Sequence, residues 1–338
     1  MRNRSMSGFT IRRLVSGGLI TNYFCTSRCR HCLYHCSPNW EKAYIDPKTA
    51  EKCFVRVLEL GCRSVHIGGG EPMLRPEHLE KVLEVADRVG MGIDYVETNS
   101  SWFKDSGTAK HSLERLRAKG LGTLLVSISP FHNEFIPFSK VKGVIEAGRE
   151  VGIALFPWIN DFYKDLSFFD PDTPHTFEEF FEKFGKDYLT STLDRYWVHM
   201  GGRAIETFRE ILPGSSLQQI LVDNPESCKS ELSDTTHFHM DLFGKYIPGL
   251  CSGIGVEIED LGKPFSKEKY RVLTTLAETG IRGLHDMAVK EYGYKPERNY
   301  FLNKCDLCTQ IRKFLVTTNA LSFKELAPFN FYSEMRKE

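Results

Sequence analysis

Residues 25–32 read Cys-Thr-Ser-Arg-Cys-Arg-His-Cys, and they follow an apolar run at 19–24 that is typical of a β-strand. This spacing places three thiols, those of Cys25, Cys29 and Cys32, on one short loop. Three thiolates on such a loop can ligate three irons of one cubane cluster. Zinc knuckles and thioredoxin-like pairs use other spacings. The loop therefore predicts a [4Fe-4S] cluster whose fourth iron has no protein ligand.

Outward from this loop, β-like runs alternate with amphipathic helices from residue 19 to about residue 203. Repeated strand–helix units favour a parallel sheet with right-handed crossovers. Six such units are too few for a closed eight-stranded barrel. The predicted fold is therefore α/β, a partial (β/α)6 TIM-like barrel. Its strands are expected at 19–24, 63–67, 93–97, 123–129, 153–158 and 195–199.

The carboxyl ends of these expected strands carry the polar motifs. The cysteine loop follows the first strand, and Gly68-Gly69-Gly70-Glu71-Pro72 follows the second. Glu97-Thr98-Asn99 ends the third strand, and Ser127-Ile128-Ser129 ends the fourth. In parallel α/β folds, catalytic and binding residues gather at this edge of the sheet. The coincidence predicts one functional site there.

With the cysteine triplet and the glycine–glutamate run in these positions, residues 19–203 resemble the radical S-adenosylmethionine (SAM) superfamily. The resemblance implies that SAM binds the open iron and is cleaved reductively to a 5′-deoxyadenosyl radical, which abstracts a substrate hydrogen. It also implies a peptide, protein or small-molecule substrate and a low-potential electron donor such as flavodoxin or ferredoxin. The residues implied in SAM binding are His31, Gly69, Gly70, Glu71, Asn99, Ser127, Ser129 and Arg203.

A purely structural role is an alternative for several of these residues. A glycine run also suits a plain strand-to-helix turn, and single polar residues at strand ends commonly satisfy backbone groups. Two further residues are candidates for catalysis. Cys36 could face the cluster, donate from its thiol or be buried, and His132 could be an acid–base group or an ordinary loop histidine.

Four more cysteines lie towards the C-terminus, at positions 228, 251, 305 and 308. Cys228, Cys251, Cys305 and Cys308 resemble the ligands of the twitch domain, a shortened relative of the SPASM domain, which implies a second, auxiliary [4Fe-4S] cluster. Four-cysteine zinc remains the alternative, because the number of thiolates does not separate the two. We expect an N-terminal extension at 1–18, the partial barrel at 19–210 and the auxiliary-cluster module at 211–338.

Between these cysteines, His237, His239 and Asp241 alternate with apolar residues, which places them on one face of a strand. They could line the substrate cavity, serve as alternative ligands, or form an exposed strand face. The sequence does not choose between these readings.

Composition excludes some partners. The 44 basic and 44 acidic residues cancel, so no nucleic-acid footprint is expected. No apolar run approaches the roughly 18 residues needed to cross a membrane. Clustered cysteines suit a reducing cytoplasm better than a secreted disulfide scaffold. The predicted function is a radical SAM enzyme, and the alternative is a cysteine-rich zinc or iron–sulfur carrier without radical catalysis.

Overall fold

The computed structural model describes residues 8–319 and 323–335. Its strands are β1 (Gly17–Ile20), β2 (Ser64–Gly68), β3 (Gly92–Thr98), β4 (Thr123–Ser127), β5 (Ala154–Trp158), β6 (Ser215–Ser216), β7 (Phe238–Asp241), β8 (Lys245–Ile247), β9 (Val256–Glu257) and β10 (Tyr300–Phe301). Its α-helices are α1 (Pro47–Glu59), α2 (Pro76–Val89), α3 (Ser106–Ala118), α4 (Pro130–Asn133), α5 (Phe138–Val151), α6 (Phe162–Leu166), α7 (Phe177–Phe184), α8 (Tyr188–Arg195), α9 (Arg203–Arg209), α10 (Leu217–Asp223), α11 (Lys229–Leu232), α12 (Arg271–Tyr292), α13 (Lys304–Asn319) and α14 (Phe329–Ser333).

Eight strands form one sheet in the order β5-β4-β3-β2-β1-β7-β8-β9. Strands β1 to β5 and β7 pair in parallel, whereas β8 and β9 pair antiparallel at one edge. Strands β6 and β10 form a separate antiparallel pair. The sheet begins at β5 and ends at β9, so it is an open and largely parallel sheet. The predicted α/β, partial-barrel class is confirmed.

The position predicted for the sixth strand is wrong. Arg195 ends α8, and the next four residues form no strand in the described chain. The strand was predicted because this run contains aromatic and β-branched residues. Such residues favour a strand only where they pack on a half-buried sheet surface. Here Trp197 is 66% exposed, and the Tyr196 ring packs 6.4 Å from that of Trp158 at the end of β5. The sixth parallel strand is instead β7, which pairs with β1 on the side opposite β2.

Strands β7, β8 and β9 follow residue 210, yet they belong to the same sheet as β1 to β5. Hydrogen bonding therefore continues across the boundary expected between the barrel and the C-terminal module. The division into 1–18, 19–210 and 211–338 stays a prediction.

The longer helices that follow the first four strands pack side by side, α1 against α2, α2 against α3 and α3 against α5. Each buries one apolar face, as Ala50, Phe54 and Val57 do in α1. An amphipathic helix of this kind covers the sheet with one side and meets water with the other. No helix in residues 8–319 and 323–335 has the length and apolar character needed to span a membrane.

We predict that Asp46→Ala lowers the free energy of unfolding by about 1 kcal/mol, the usual cost of a lost N-cap. Asp46 Oδ1 accepts hydrogen bonds from the amides of Lys48 and Thr49 at 3.0 and 3.2 Å, at the start of α1. Asp46→Asn keeps an acceptor in place and should lose much less. Denaturant unfolding of both variants measures the difference, and equal losses would contradict the capping role.

The same cap should depend on pH. The Thr49 hydroxyl and the two amides hold the pKa of Asp46 below its ordinary range. A carboxylate with a lowered pKa stabilises the fold above its unfolded pKa, and this stabilisation is lost as the pH falls. The stability difference between wild type and Asp46→Ala should therefore shrink as the pH drops below about 4.

Candidate functional site

A cavity of about 430 Å³ opens at the carboxyl ends of the parallel strands. Its walls come from the cysteine loop, the glycine run, the ends of β3, β4 and β5, and β7. The predicted site residues that line it are Cys25, Cys29, His31, Cys32, Cys36, Gly69, Gly70, Glu71, Asn99, Ser127 and His132. The fold therefore brings together segments that are far apart in the sequence, as the strand-end pattern predicted.

The cysteine loop and the glycine run touch through their backbones. The Gly70 amide donates a hydrogen bond to the Asn22 carbonyl at 2.7 Å. A Cβ on Gly70 would lie 2.1 Å from the Phe24 carbonyl oxygen, and Gly69 has a φ of +150° with equally little room. No other residue fits these two positions without moving the segment that precedes Cys25. The glycines thus set how closely the two motifs approach.

The thiols of the loop are buried or half-buried in the cavity wall. Burial raises the pKa of Cys25 to about 12 and also raises that of Cys29. A hydrogen bond between the Cys32 and Cys36 thiols lowers the pKa of Cys32 to about 6 and raises that of Cys36. The Asn99 side-chain amide donates to Cys25 Sγ at 3.3 Å. Metal loading of this loop must therefore release protons.

Arg203 braces the cysteine loop from behind. Its guanidinium donates to the Cys29 carbonyl at 2.8 Å and to the Cys36 carbonyl at 3.1 Å, and its amide donates to the Cys32 carbonyl at 2.9 Å. Arg203 is 4% exposed and does not belong to the cavity wall among the described residues. Its contacts fix the loop's shape, and its role in SAM binding stays a prediction.

The Glu71 carboxylate connects the glycine run to the end of β3. It accepts hydrogen bonds from the Met73 amide at 3.0 Å, the Thr98 hydroxyl at 3.0 Å and the Asn99 amide at 2.6 Å. Burial raises its pKa to about 7. Both carboxylate oxygens thus already accept hydrogen bonds from neighbouring groups of the chain. A direct contact between Glu71 and SAM therefore also stays a prediction.

His31, Ser129 and His132 form a partly buried group beside the loop. The His31 ring lies 4.6 Å from that of Phe131 and 5.0 Å from that of His132. Ser129 Oγ lies 2.7 Å from His132 Nδ1 and, unlike Ser127, does not line the cavity. Burial lowers the pKa of His132 to about 4, so its imidazole is neutral at pH 7 and can accept a proton. Catalysis by His132 or Cys36 stays a prediction.

The four C-terminal cysteines come together from separate elements. Cys228 precedes α11, Cys251 follows the 3₁₀ turn Pro248–Leu250, and Cys305 and Cys308 lie in the first turn of α13. Burial raises the pKa of Cys251, and the charges of the other three thiols raise it further. The sulfurs are therefore close enough to interact.

Sequence reasoning missed His66, which lies in the middle of β2. His66 Nε2 is 3.0 Å from His239 Nε2, so β2 and β7 contribute to one histidine group. The available signal was a polar residue between Val65 and Ile67 in an apolar strand, since buried polar groups need a partner. Asp241, two residues after His239 on β7, accepts a hydrogen bond from the Tyr23 hydroxyl at 2.9 Å.

Residues 19–155 match the family model described as the radical SAM superfamily. This segment is a radical SAM domain. It spans β1 to β5 and contains both the cysteine loop and the glycine run. Radical SAM proteins are enzymes that bind a [4Fe-4S] cluster and SAM, so these two cofactors and the prediction of an enzyme are confirmed.

Solved structures similar to this chain have low sequence identity to it. Native anSMEcpe with bound AdoMet is 15% identical, covers 90% of this chain and 97% of its own, and gives a TM-score of 0.42. Streptococcus suis SuiB bound to precursor peptide SuiA is 14% identical, with coverages of 70% and 60% and a TM-score of 0.33. Methylornithine synthase (PylB) is 15% identical, with coverages of 43% and 44% and a TM-score of 0.33. A comparison with curated proteins gave no match.

We predict that Gly70→Ala abolishes iron–sulfur loading at the cysteine loop, because the added Cβ would displace the Phe24 carbonyl next to Cys25. Gly122→Ala is the matched control, since its Cβ meets no atom within 4 Å. Iron content and the visible absorption of anaerobically reconstituted protein measure the effect. If Gly70→Ala loaded as much iron as Gly122→Ala, the close approach would not be required.

Proposed function

We propose that the chain is a radical SAM enzyme that generates a 5′-deoxyadenosyl radical and abstracts hydrogen from a peptide, protein or small-molecule substrate. The observation that carries the proposal is the cavity wall formed by Cys25, Cys29 and Cys32 against the glycine run. The bound cluster would supply the electron that cleaves SAM, and its open iron would hold the methionine end. A metal carrier has no need of an SAM site beside its thiols.

The spacing of the three loop thiols supports a cubane. Among the described residues, the only group of three or more His, Cys, Asp or Glu ligand atoms within 4.8 Å of one another is a histidine group. Cys25, Cys29 and Cys32 do not form such a group, so in the described chain their sulfurs are not gathered at the spacing of one ion. Zn–S bonds of about 2.3 Å would place tetrahedral thiolates roughly 3.8 Å apart. A cubane holds its thiolates farther apart, because each binds a different iron.

Cys36 fits a supporting role beside the cluster. Its thiol hydrogen-bonds Cys32, and both side chains line the cavity. A thiol that donates to a ligating sulfur stabilises the reduced cluster, since hydrogen bonds to cluster sulfurs raise its potential. We therefore assign Cys36 to tuning the cluster, with His132 available as a neutral proton acceptor near the substrate.

The same spacing argument supports an auxiliary cluster. The sulfurs of Cys228, Cys251, Cys305 and Cys308 interact, yet no three of these described atoms lie within 4.8 Å of one another. We assign these four thiols to a second [4Fe-4S] cluster, in which each would bind a different iron. The Arg312 guanidinium also hydrogen-bonds Cys308 and donates to the Ser252 carbonyl at 2.7 Å, which places a positive charge beside the thiolates.

The rim of the cavity offers room for a substrate. Trp158, Tyr196, Trp197 and His199 line it, and Trp197 projects into solvent. Exposed aromatic side chains at the rim of a cavity are suited to contact a substrate that is larger than the cavity itself. A low-potential donor of the flavodoxin or ferredoxin type would deliver the electron.

We predict that replacing Cys25, Cys29 and Cys32 by Ala abolishes 5′-deoxyadenosine formation from SAM under anaerobic reduction, because no iron would remain to bind SAM. Cys62→Ser is the control: Cys62 lies outside the cavity wall, and its thiol donates to the Ser64 carbonyl at 3.0 Å, which a serine hydroxyl can replace. Chromatographic assay of 5′-deoxyadenosine gives the result. Continued formation by the triple variant would refute the site.

Replacing Cys305 and Cys308 by Ala should remove the iron of one cluster and leave 5′-deoxyadenosine formation in place, because these thiols lie away from the SAM cavity. Substrate product should be lost. Iron and zinc analysis of the anaerobic protein, with Mössbauer spectroscopy, counts the clusters. A variant that loses zinc instead of iron would show that the C-terminal site is a zinc site.

A further inference from the structure

The side chains of three histidines come together beside strand β1, and neither cysteine site uses them as ligands. The ligand atoms of His66, His237 and His239 all lie within 4.8 Å of one another, which suits a single metal ion. We propose that these residues form a third metal site, separate from both cysteine sites, for a mononuclear divalent transition-metal ion. Imidazole ligands suit zinc, iron, nickel and copper. An iron–sulfur cluster would need thiolate ligands, which this histidine group does not contain.

A glycine makes room for this site. Gly18 on β1 pairs with His66 on β2 and with His239 on β7, so it lies between the two histidines in the sheet. A Cβ on Gly18 would lie 2.2 Å from His66 Nε2. The missing side chain therefore lets imidazoles from two non-neighbouring strands lean over β1 and meet. The histidine side chains occupy the space that a larger residue at position 18 would take.

The distances suit ligation. His66 Nε2 and His239 Nε2 are 3.0 Å apart. Imidazole nitrogens bind zinc at about 2.0–2.1 Å, so two of them on one tetrahedral ion lie roughly 3.3–3.4 Å apart, a few tenths of an ångström more than the separation seen here. The Tyr95 ring stacks on His66 at 5.1 Å with an interplanar angle of 6°, which fixes that ring in place.

The surroundings of the group resemble those of ligating histidines. The Tyr34 hydroxyl lies 2.8 Å from His239 Nδ1, and when its oxygen accepts from Nδ1–H the Nε2 lone pair is left for a metal. Glu97 Oε1 lies 3.9 Å from His66 Nε2, which places a carboxylate beside the ion. Burial lowers the pKa of all three histidines, so the imidazoles stay neutral and keep their lone pairs at pH 7.

The site opens into the cavity that the cysteine loop lines. His237, His239 and Glu97 all belong to that cavity wall. An ion held by the three imidazoles alone keeps a fourth coordination position for an outside donor. Resting on the proposed function, the ion would anchor a substrate through an oxygen or nitrogen donor and hold the bond to be broken opposite the cysteine loop.

The test is metal binding by the reconstituted full-length holoenzyme. We expect one equivalent of Zn²⁺ to remain after desalting, in addition to the cluster iron. Co²⁺ in its place should show d–d absorption without thiolate charge-transfer bands. His237→Ala and His239→Ala should each weaken Zn²⁺ binding at least tenfold, and Gly18→Ala should do so without removing a ligand. His111→Ala, an exposed residue of α3, should bind as the wild type does.

Two results would overturn the site: no Zn²⁺ bound beyond the cysteine sites, or binding unchanged in His237→Ala. In either case the histidines would be a hydrogen-bonded group only. His237 is half-buried and precedes β7, so its variant keeps the test valid if the Gly18 variant fails to fold. Assaying 5′-deoxyadenosine in wild type separates the two proposals. Radical formation without Zn²⁺ binding overturns this inference alone, and Zn²⁺ binding without radical formation overturns the proposed function alone.

Discussion

The site depends on the backbone contact between the segments that follow β1 and β2, where the Gly70 amide donates to the Asn22 carbonyl and the Thr21 amide donates to the Gly68 carbonyl. It joins the strand end that leads into the cysteine loop to the strand end that leads into the glycine run. Neither Gly69 nor Gly70 has room for a Cβ, so side chains cannot replace this contact. A loop of three thiols can hold a defined cluster only if its start is fixed, and this contact fixes it. Arg203 then secures the far side of the loop through three carbonyls.

Parallel pairing explains why the site was visible in the sequence. Strands β1 to β4 follow one another in the sheet, and motifs at their carboxyl ends meet without any long-range information. The cysteine loop, the glycine run, Asn99 and Ser127 accordingly line one cavity. Local propensity, hydrophobic pattern and motif position agree in this half of the chain, which is the condition for a sound prediction from sequence.

The C-terminal half of the chain was harder to predict, because the order of its strands in the sheet departs from their order in the sequence. Strand β7 joins β1 from the opposite side, after a long helical stretch, so nothing local indicates its neighbour. The run 195–199 has β-forming residues but serves as part of the cavity rim. For the same reason the approach of His66 to His239 across Gly18 could not be predicted from the sequence. It depends on the register of three strands.

The chain thus combines buried thiols, close backbone packing and a histidine group around one cavity, and the cluster with an open iron is the centre of the account. Electron paramagnetic resonance of the anaerobically reduced protein, before and after addition of SAM, tests that centre most directly. We expect a [4Fe-4S]⁺ signal that changes when SAM binds the open iron. A cluster signal that SAM leaves unchanged, or no such signal at all, would contradict it.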